Sequence, residues 1–282
     1  MKPIVSSVGF TATAGKHTAK VSSVTTDEFN AFQGEWLNGL LNAYQPLKNV
    51  WTTLAAPFQN LAVEAFKSSV GFGDPNIAEF SLDKTGAMSM KTMGFFDLKP
   101  KVNTLIGTYS NTQINSPLSQ ANTALNEVNL GISTIQNNTT YKSLTSVPFN
   151  SLSNTNKGIL NNFNSQLSAL NTQKTTLTAG IATLNAAKQQ VDSFTNALNG
   201  IQNLQISEIV KVELDGVSEY VYSFNAENSG FVAKDDGKSY SGIYSWSKAG
   251  TPAAVPEPST ILGLMAVGGL FGAAKRNANK KA

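Results

Sequence analysis

The sequence predicts an α+β fold: a small antiparallel sheet of about five strands with N-terminal helices and a long inserted helical hairpin, plus a single C-terminal transmembrane helix. Three observations carry this. Apolar residues recur in steps of three and four over residues 25–70 and again over 116–204, the spacing of one buried helical face. Over 77–96 and 206–246 the period shortens to two, and turn signals separate the runs. A 14-residue apolar run, Ile261 to Ala274, then stands just ahead of Lys275, Arg276, Lys280 and Lys281.

The elements follow in order. Residues 1–24 read as a signal-peptide remnant or a disordered stretch: Met1-Lys2 is a thin basic region, Ile4 to Phe10 is a short apolar one, and Ala12-Thr13-Ala14 fits a cleavage site. The first alternative implies a start codon placed too late, with upstream sequence supplying the rest. Thr25 and Glu28 form a capping-box pattern ahead of Phe29, Phe32, Trp36, Leu40 and Tyr44, a run that Pro46 ends. A second helix carries Leu47, Val50, Trp51, Leu54, Phe58, Leu61 and Phe66, kinked or restarted at Pro57. Such aromatic stripes are read as core. Gly71 to Pro75 breaks the pattern, and Ile77, Phe80 and Leu82 lead through Asp83-Lys84-Thr85-Gly86 to Met88, Met90 and Phe95-Phe96, a hairpin.

The helical insertion starts where Ser116-Pro117 supplies a cap and a first-turn proline. Leu118, Ala121, Leu125, Val128, Ile132 and Ile135 line its first limb. Past the bend at 137–148, a longer seam runs from Leu160 through Phe163, Leu167, Leu170, Lys174, Leu177, Ile181, Leu184, Lys188 and Val191, with a shortened step at Phe194 before Leu198 and Ile201. At about 1.5 Å per residue the long limb spans roughly 75 Å and the short one roughly 30 Å. Much of the long seam must therefore meet the helices before Val70, or another chain by self-association. Lys174 and Lys188, costly in a dry seam, either set register or snorkel. Ile206 to Leu214 and Val217 to Phe224 then flank the Asp215-Gly216 turn, with Tyr220, Tyr222 and Phe224 on one face, and Ser239 to Trp246 follows Asp235-Asp236-Gly237. Residues 25–250 thus form one α+β body, joined by the linker 251–258 to the tail 259–282.

Charge separates body from tail. The chain has a net charge of +3, and four positive groups with no acid lie after Glu257, so residues 1–258 carry a net −1. No basic footprint for nucleic acid is left. Cysteine is absent, which removes disulfides, thiolate metal sites and thiol nucleophiles together. Only 14% of residues are charged, and Asn, Thr and Ser fill the polar positions, as on extracellular bacterial proteins.

The tail has three parts. Val255, Pro256, Glu257 and Pro258 stay extended because the prolines disfavour helix. Ile261, Leu262, Leu264, Met265, Val267, Leu270 and Phe271 form the transmembrane helix. Its 14-residue run covers roughly 21 Å of a roughly 30 Å hydrocarbon core, and Ser259, Thr260 and snorkelling lysines extend it. Gly263, Gly268, Gly269 and Gly272 allow another helix to approach closely. Lys275, Arg276, Lys280 and Lys281 are a basic stop that stays cytoplasmic, leaving the body outside. An ordinary tail anchor or a buried C-terminal helix is the plainer alternative. Motif, helix and basic end in this order resemble the PEP-CTERM sorting signal of bacterial envelope proteins. The resemblance implies export, retention in the membrane and processing near Pro-Glu-Pro by an exosortase-type membrane protease. Asp74-Pro75-Asn76-Ile77, Ser207-Glu208-Ile209-Val210-Lys211-Val212 and Asp235-Asp236-Gly237-Lys238 further resemble segments of cyanobacterial PEP-CTERM proteins of unknown function.

Little else points to chemistry. The single histidine, His17, falls in the stretch expected to be disordered or removed, so no His-based triad or multi-histidine metal site is expected. Asp27-Glu28 and Asp235-Asp236 read as a helix start and a turn, and no phosphate-binding glycine loop is present. Asn137-Asn138-Thr139-Thr140 contains N-x-T patterns, read as turn residues. The expectation is a protein with no catalytic residue, metal or cofactor. The tail's resemblance implies an exported, non-enzymatic cell-envelope or extracellular-matrix protein, expected at the membrane during export and then on the cell surface or outside the cell. The polysaccharide that organisms with such proteins secrete is a candidate partner. The alternative is a secreted hydrolase or carbohydrate-binding module.

Overall fold

The computed structural model describes residues 9–70, 75–235 and 238–250. Its strands and helices, in chain order, are β1 (Gly9–Ala14), β2 (His17–Ser23), α1 (Thr26–Ala43), α2 (Gln45–Trp51), α3 (Ala56–Val70), β3 (Ile77–Leu82), β4 (Met88–Gly94), α4 (Lys99–Ser110), α5 (Ser116–Asn137), α6 (Thr139–Thr145), α7 (Asn154–Asn199), β5 (Val210–Leu214), β6 (Val217–Val221), β7 (Glu227–Asp235) and β8 (Lys238–Lys248). The class is α+β, as predicted. The single sheet of about five strands is corrected to two antiparallel sheets of four, ordered β1-β2-β5-β6 and β3-β4-β8-β7. Each sheet joins an N-terminal hairpin to a C-terminal one across the whole helical insertion.

The two sheets pack face to face. Strand β5 alternates, sending Val210 and Val212 inward and Lys211 outward. With Ala19, Val21, Val221, Met88 and Met90 they fill the space between the sheets. On the outer face of the first sheet lies α1, where Tyr220 stacks on Phe32 at 4.1 Å and Lys211 pairs with Glu28 at 2.7 Å. The larger core sits on that side, around Phe29, Trp36, Leu40, Phe66 and Phe194. The layers are therefore sheet, sheet and helices.

Several local expectations hold. Thr25 and Glu28 form the capping box at the start of α1, and Asp215 and Gly216 both take positive φ (52° and 87°) in the β5–β6 turn. Others are corrected. Residues 9–23 are neither disordered nor separate from the body: β1 and β2 form a hairpin whose second strand pairs with β5. The Ala12-Thr13-Ala14 triplet lies in β1, and the weak apolar character of this stretch is the alternation of a half-buried strand. The second N-terminal helix takes the restarted form of the two expected: α2 ends at Trp51, the chain turns at 52–55, and Pro57 enters the first turn of α3.

The helical insertion begins earlier than Ser116. Helix α4 runs into α5 through a π-helical turn, Asn111–Asn115, and Asn115 and Ser116 keep helical dihedrals. Pro117 is thus inside a continuous limb. The wider π turn just before it accommodates a residue that lacks an N–H and crowds the preceding turn. The limb from Lys99 to Asn137 spans about 58 Å, against about 69 Å for the 46 residues of α7. The expected length mismatch largely disappears: α7 packs on α5 and α4 within the chain and on α2 near its base.

One hydroxyl ties the return of the chain to the core. Tyr44 Oη has its single proton within reach of the carbonyls of Gln205 at 2.8 Å and Phe224 at 3.2 Å, and accepts from the Gln205 amide at 2.6 Å. Burial pushes its pKa up to about 12, so it stays protonated at physiological pH. Tyr44→Phe leaves the Gln205 amide without this acceptor, and chemical denaturation is expected to show a loss of about 1–3 kcal/mol.

Candidate functional site

The ends of β4 define two poles of the sandwich. At one, Met88 pairs with Lys248, the last residue of β8, so the chain toward the tail leaves here. At the other, Gly94 pairs with Gly242, and the chain continues through Phe95 and Phe96 into α4. The seven residues of β4 separate tail from insertion by about 20 Å.

Turns crowd the tail pole. Gly250 lies so close to Thr85 that a Cβ there would collide with it. Asp83 accepts from the amides of Thr85 and Ala87 and from the Thr85 hydroxyl, at 2.6 to 3.0 Å. Next to this turn, Asp215 accepts from the Thr18 amide at 2.9 Å and contacts His17 Nδ1 at 2.6 Å. His17 is buried against Gly86, where a Cβ would meet its ring at 3.2 Å. Three turns, β1–β2, β3–β4 and β5–β6, are thereby locked together beside the exit. The histidine expected to be disordered or removed is a structural residue.

The electrostatics of this pole are acid-sensitive. The hydroxyl and amide of Thr85 hold Asp83 below the ordinary carboxylate range, and His17 followed by the Thr18 amide does the same for Asp215. A carboxylate depressed in the folded state stabilises it above the unfolded pKa and loses that contribution as pH falls through the folded value. Thermal midpoints are therefore expected to fall below about pH 4, and less steeply in Asp215→Asn than in the parent chain.

At the insertion pole the hairpin is clasped. Asp97 accepts from the Lys99 amide, opening α4, and from the Leu204 amide, both at 3.0 Å. Lys99 Nζ donates to the carbonyls of Ile201 and Gln202 at 2.5 and 2.6 Å, placing a cation beside the C-terminal end of α7. Beyond this base the hairpin stands on its own. From Leu160 to Val191 no α7 side chain between those two is fully buried, and in α5 only Val128 is. Lys174 is exposed, and Lys188 pairs with Asp192 at 2.6 Å.

Among the described residues there is no group of three or more His, Asp or Glu suited to a metal ion. The His17–Asp215 contact, with the Thr18 amide on the same carboxylate, braces the β1–β2 turn against the β5–β6 turn. No helix among the described residues is long and apolar enough to cross a membrane. The predicted sorting residues Val255, Pro256, Glu257 and Pro258, the apolar residues Ile261, Leu262, Leu264, Met265, Val267, Leu270 and Phe271, and the basic residues Lys275, Arg276, Lys280 and Lys281 all lie outside the described residues. The pairing of His17 with Asp215, 198 positions away, has no signal in the sequence beyond the turn character of Asp215-Gly216.

Comparison with curated proteins and with solved structures finds no match. A family model does match the tail, over residues 254–277, and its description is the PEP-CTERM protein-sorting motif. The match covers the motif, the apolar run and the first two basic residues, so the chain carries a PEP-CTERM protein-sorting signal attached to the α+β body described above.

Proposed function

We propose that this is an exported, non-enzymatic envelope protein whose tail is held in the membrane and processed near Pro256-Glu257-Pro258 by an exosortase-type membrane protease. The observation that carries the reading is the match over residues 254–277. The exit of the chain at the pole opposite the helical hairpin supports it. A membrane-held tail leaves the motif beside the lipid and directs the hairpin away from it. The body then serves as a mount for a rod, at the cell surface or, after processing, outside the cell.

The test is the C-terminus of the mature protein from its native host, read by mass spectrometry. Loss of all residues after the Pro-Glu-Pro region is expected. A membrane fraction still ending in Lys280-Lys281-Ala282 would refute processing and leave a simple tail anchor.

A further inference from the structure

We propose that the tip of the helical hairpin is a docking surface for an anionic lipid bilayer other than the one that holds the tail. The tip comprises α6, the 3₁₀ turn Phe149–Ser151 and the first turns of α7. It has a core of its own, in which Leu144, Leu152 and Leu160 pack with Tyr141. Outside that core the tip keeps large apolar side chains in the open: Val147, Phe149 and Ile159 are 40%, 46% and 39% exposed.

Charge selects what covers them. From Val128 to Val191 the chain has four lysines and no acidic residue, whereas the rest of residues 1–258 carries a net charge of −5. Two of those lysines are at the tip. Lys142 donates to the Asn137 side chain at 3.0 Å, and Lys157 lies 5.6 Å from the centroid of the Phe149 ring. Neither forms a salt bridge with a carboxylate among the described residues. Cations flanking exposed apolar groups match a surface of anionic headgroups over hydrocarbon. An acidic polysaccharide fits less well. Val147 and Ile159 offer a sugar no hydrogen bond, and Lys157 already occupies the face of Phe149. A second copy's tip would bring like charges together.

The chain lacks cysteine, so Asn150→Cys in the full chain places a single environment-sensitive fluorophore on the exposed turn. Phosphatidylcholine vesicles with and without phosphatidylglycerol are the probes. With phosphatidylglycerol, the emission is expected to rise and move to the blue. The half-saturating lipid concentration should increase about fivefold for each of Lys142→Gln and Lys157→Gln, and Phe149→Ser should remove the response. No response to phosphatidylglycerol, or an equal response to phosphatidylcholine alone, overturns the proposal. So does a response that follows protein concentration without lipid, which would identify a second copy as the occupant. Insertion of the tail does not account for an effect of Lys142→Gln, Lys157→Gln or Phe149→Ser, because these variants leave the tail unchanged. If the tail reading fails, the protein does not float with phosphatidylcholine vesicles, yet the tip still responds to the anionic ones.

Discussion

Phe194→Ala is expected to cost about 3–5 kcal/mol, read as a lower urea midpoint, because it removes a fully buried ring from the joint between rod and body. Phe194 is 0% exposed and lies in the last turns of α7, with ring centroids 5.5 Å from Phe58 and 6.0 Å from Phe66, both on α3. Neither helix can close the gap alone: α3 is also fixed by Ala62 and Val63 in the same core, and α7 by Leu198 and Val191. A domain of this kind has about 5–15 kcal/mol in total, so the variant sits near the edge of folding. Leu170→Ala is the comparison. Leu170 is a half-buried residue of the distal rod, beside Gly131, and its loss should cost distinctly less than that of Phe194. Equal losses at the two positions would mean that the base of α7 is not anchored as described.

Val21→Asp is expected to abolish cooperative folding. Val21 is 0% exposed, faces Val212 across the β2–β5 pairing and lies among Met88, Met90 and Val210 between the sheets. A carboxylate there has no cation partner in that cluster, and the effective penalty for such an ion is several kcal/mol. Lys20→Gln, one residue away on the exposed face, should change stability by no more than about 0.5 kcal/mol. The pair is read by the folded fraction in circular dichroism. If residues 9–23 were dispensable, both variants would behave as the parent does.

What the sequence discloses is what neighbouring residues decide. The Thr25–Glu28 capping box and the Asp215-Gly216 turn are complete within four residues, and both form as read. The sorting signal is linear too, and its match needs no fold. Strand β2 is different, since its burial is conferred by β5 from the far end of the chain, and its own residues, His-Thr-Ala-Lys-Val-Ser-Ser, are only weakly apolar. Strand β7 carries a register irregularity between Asn228 and Ala233 and a positive-φ Gly230, which blur the period of two. Helix α4 goes unpredicted, although Leu98, Val102 and Ile106 recur every four residues and are all buried. Pro117 obscured it, because the usual reading of proline is a helix start, whereas here a π turn carries the helix past it.

The crossing of the chain in both sheets has a consequence for timing. The first sheet is complete only when β5 and β6 reach the β1–β2 hairpin, and the second only when β8 inserts between β4 and β7. Pairings this distant in sequence form slowly, after the entropy of closing the intervening loop has been overcome. While the chain is being synthesised, the helices can form early, but the sandwich has to wait until Lys248 has emerged. For any chain threaded unfolded through a membrane pore, such a delay keeps the body unlocked until the residues up to Lys248 have passed.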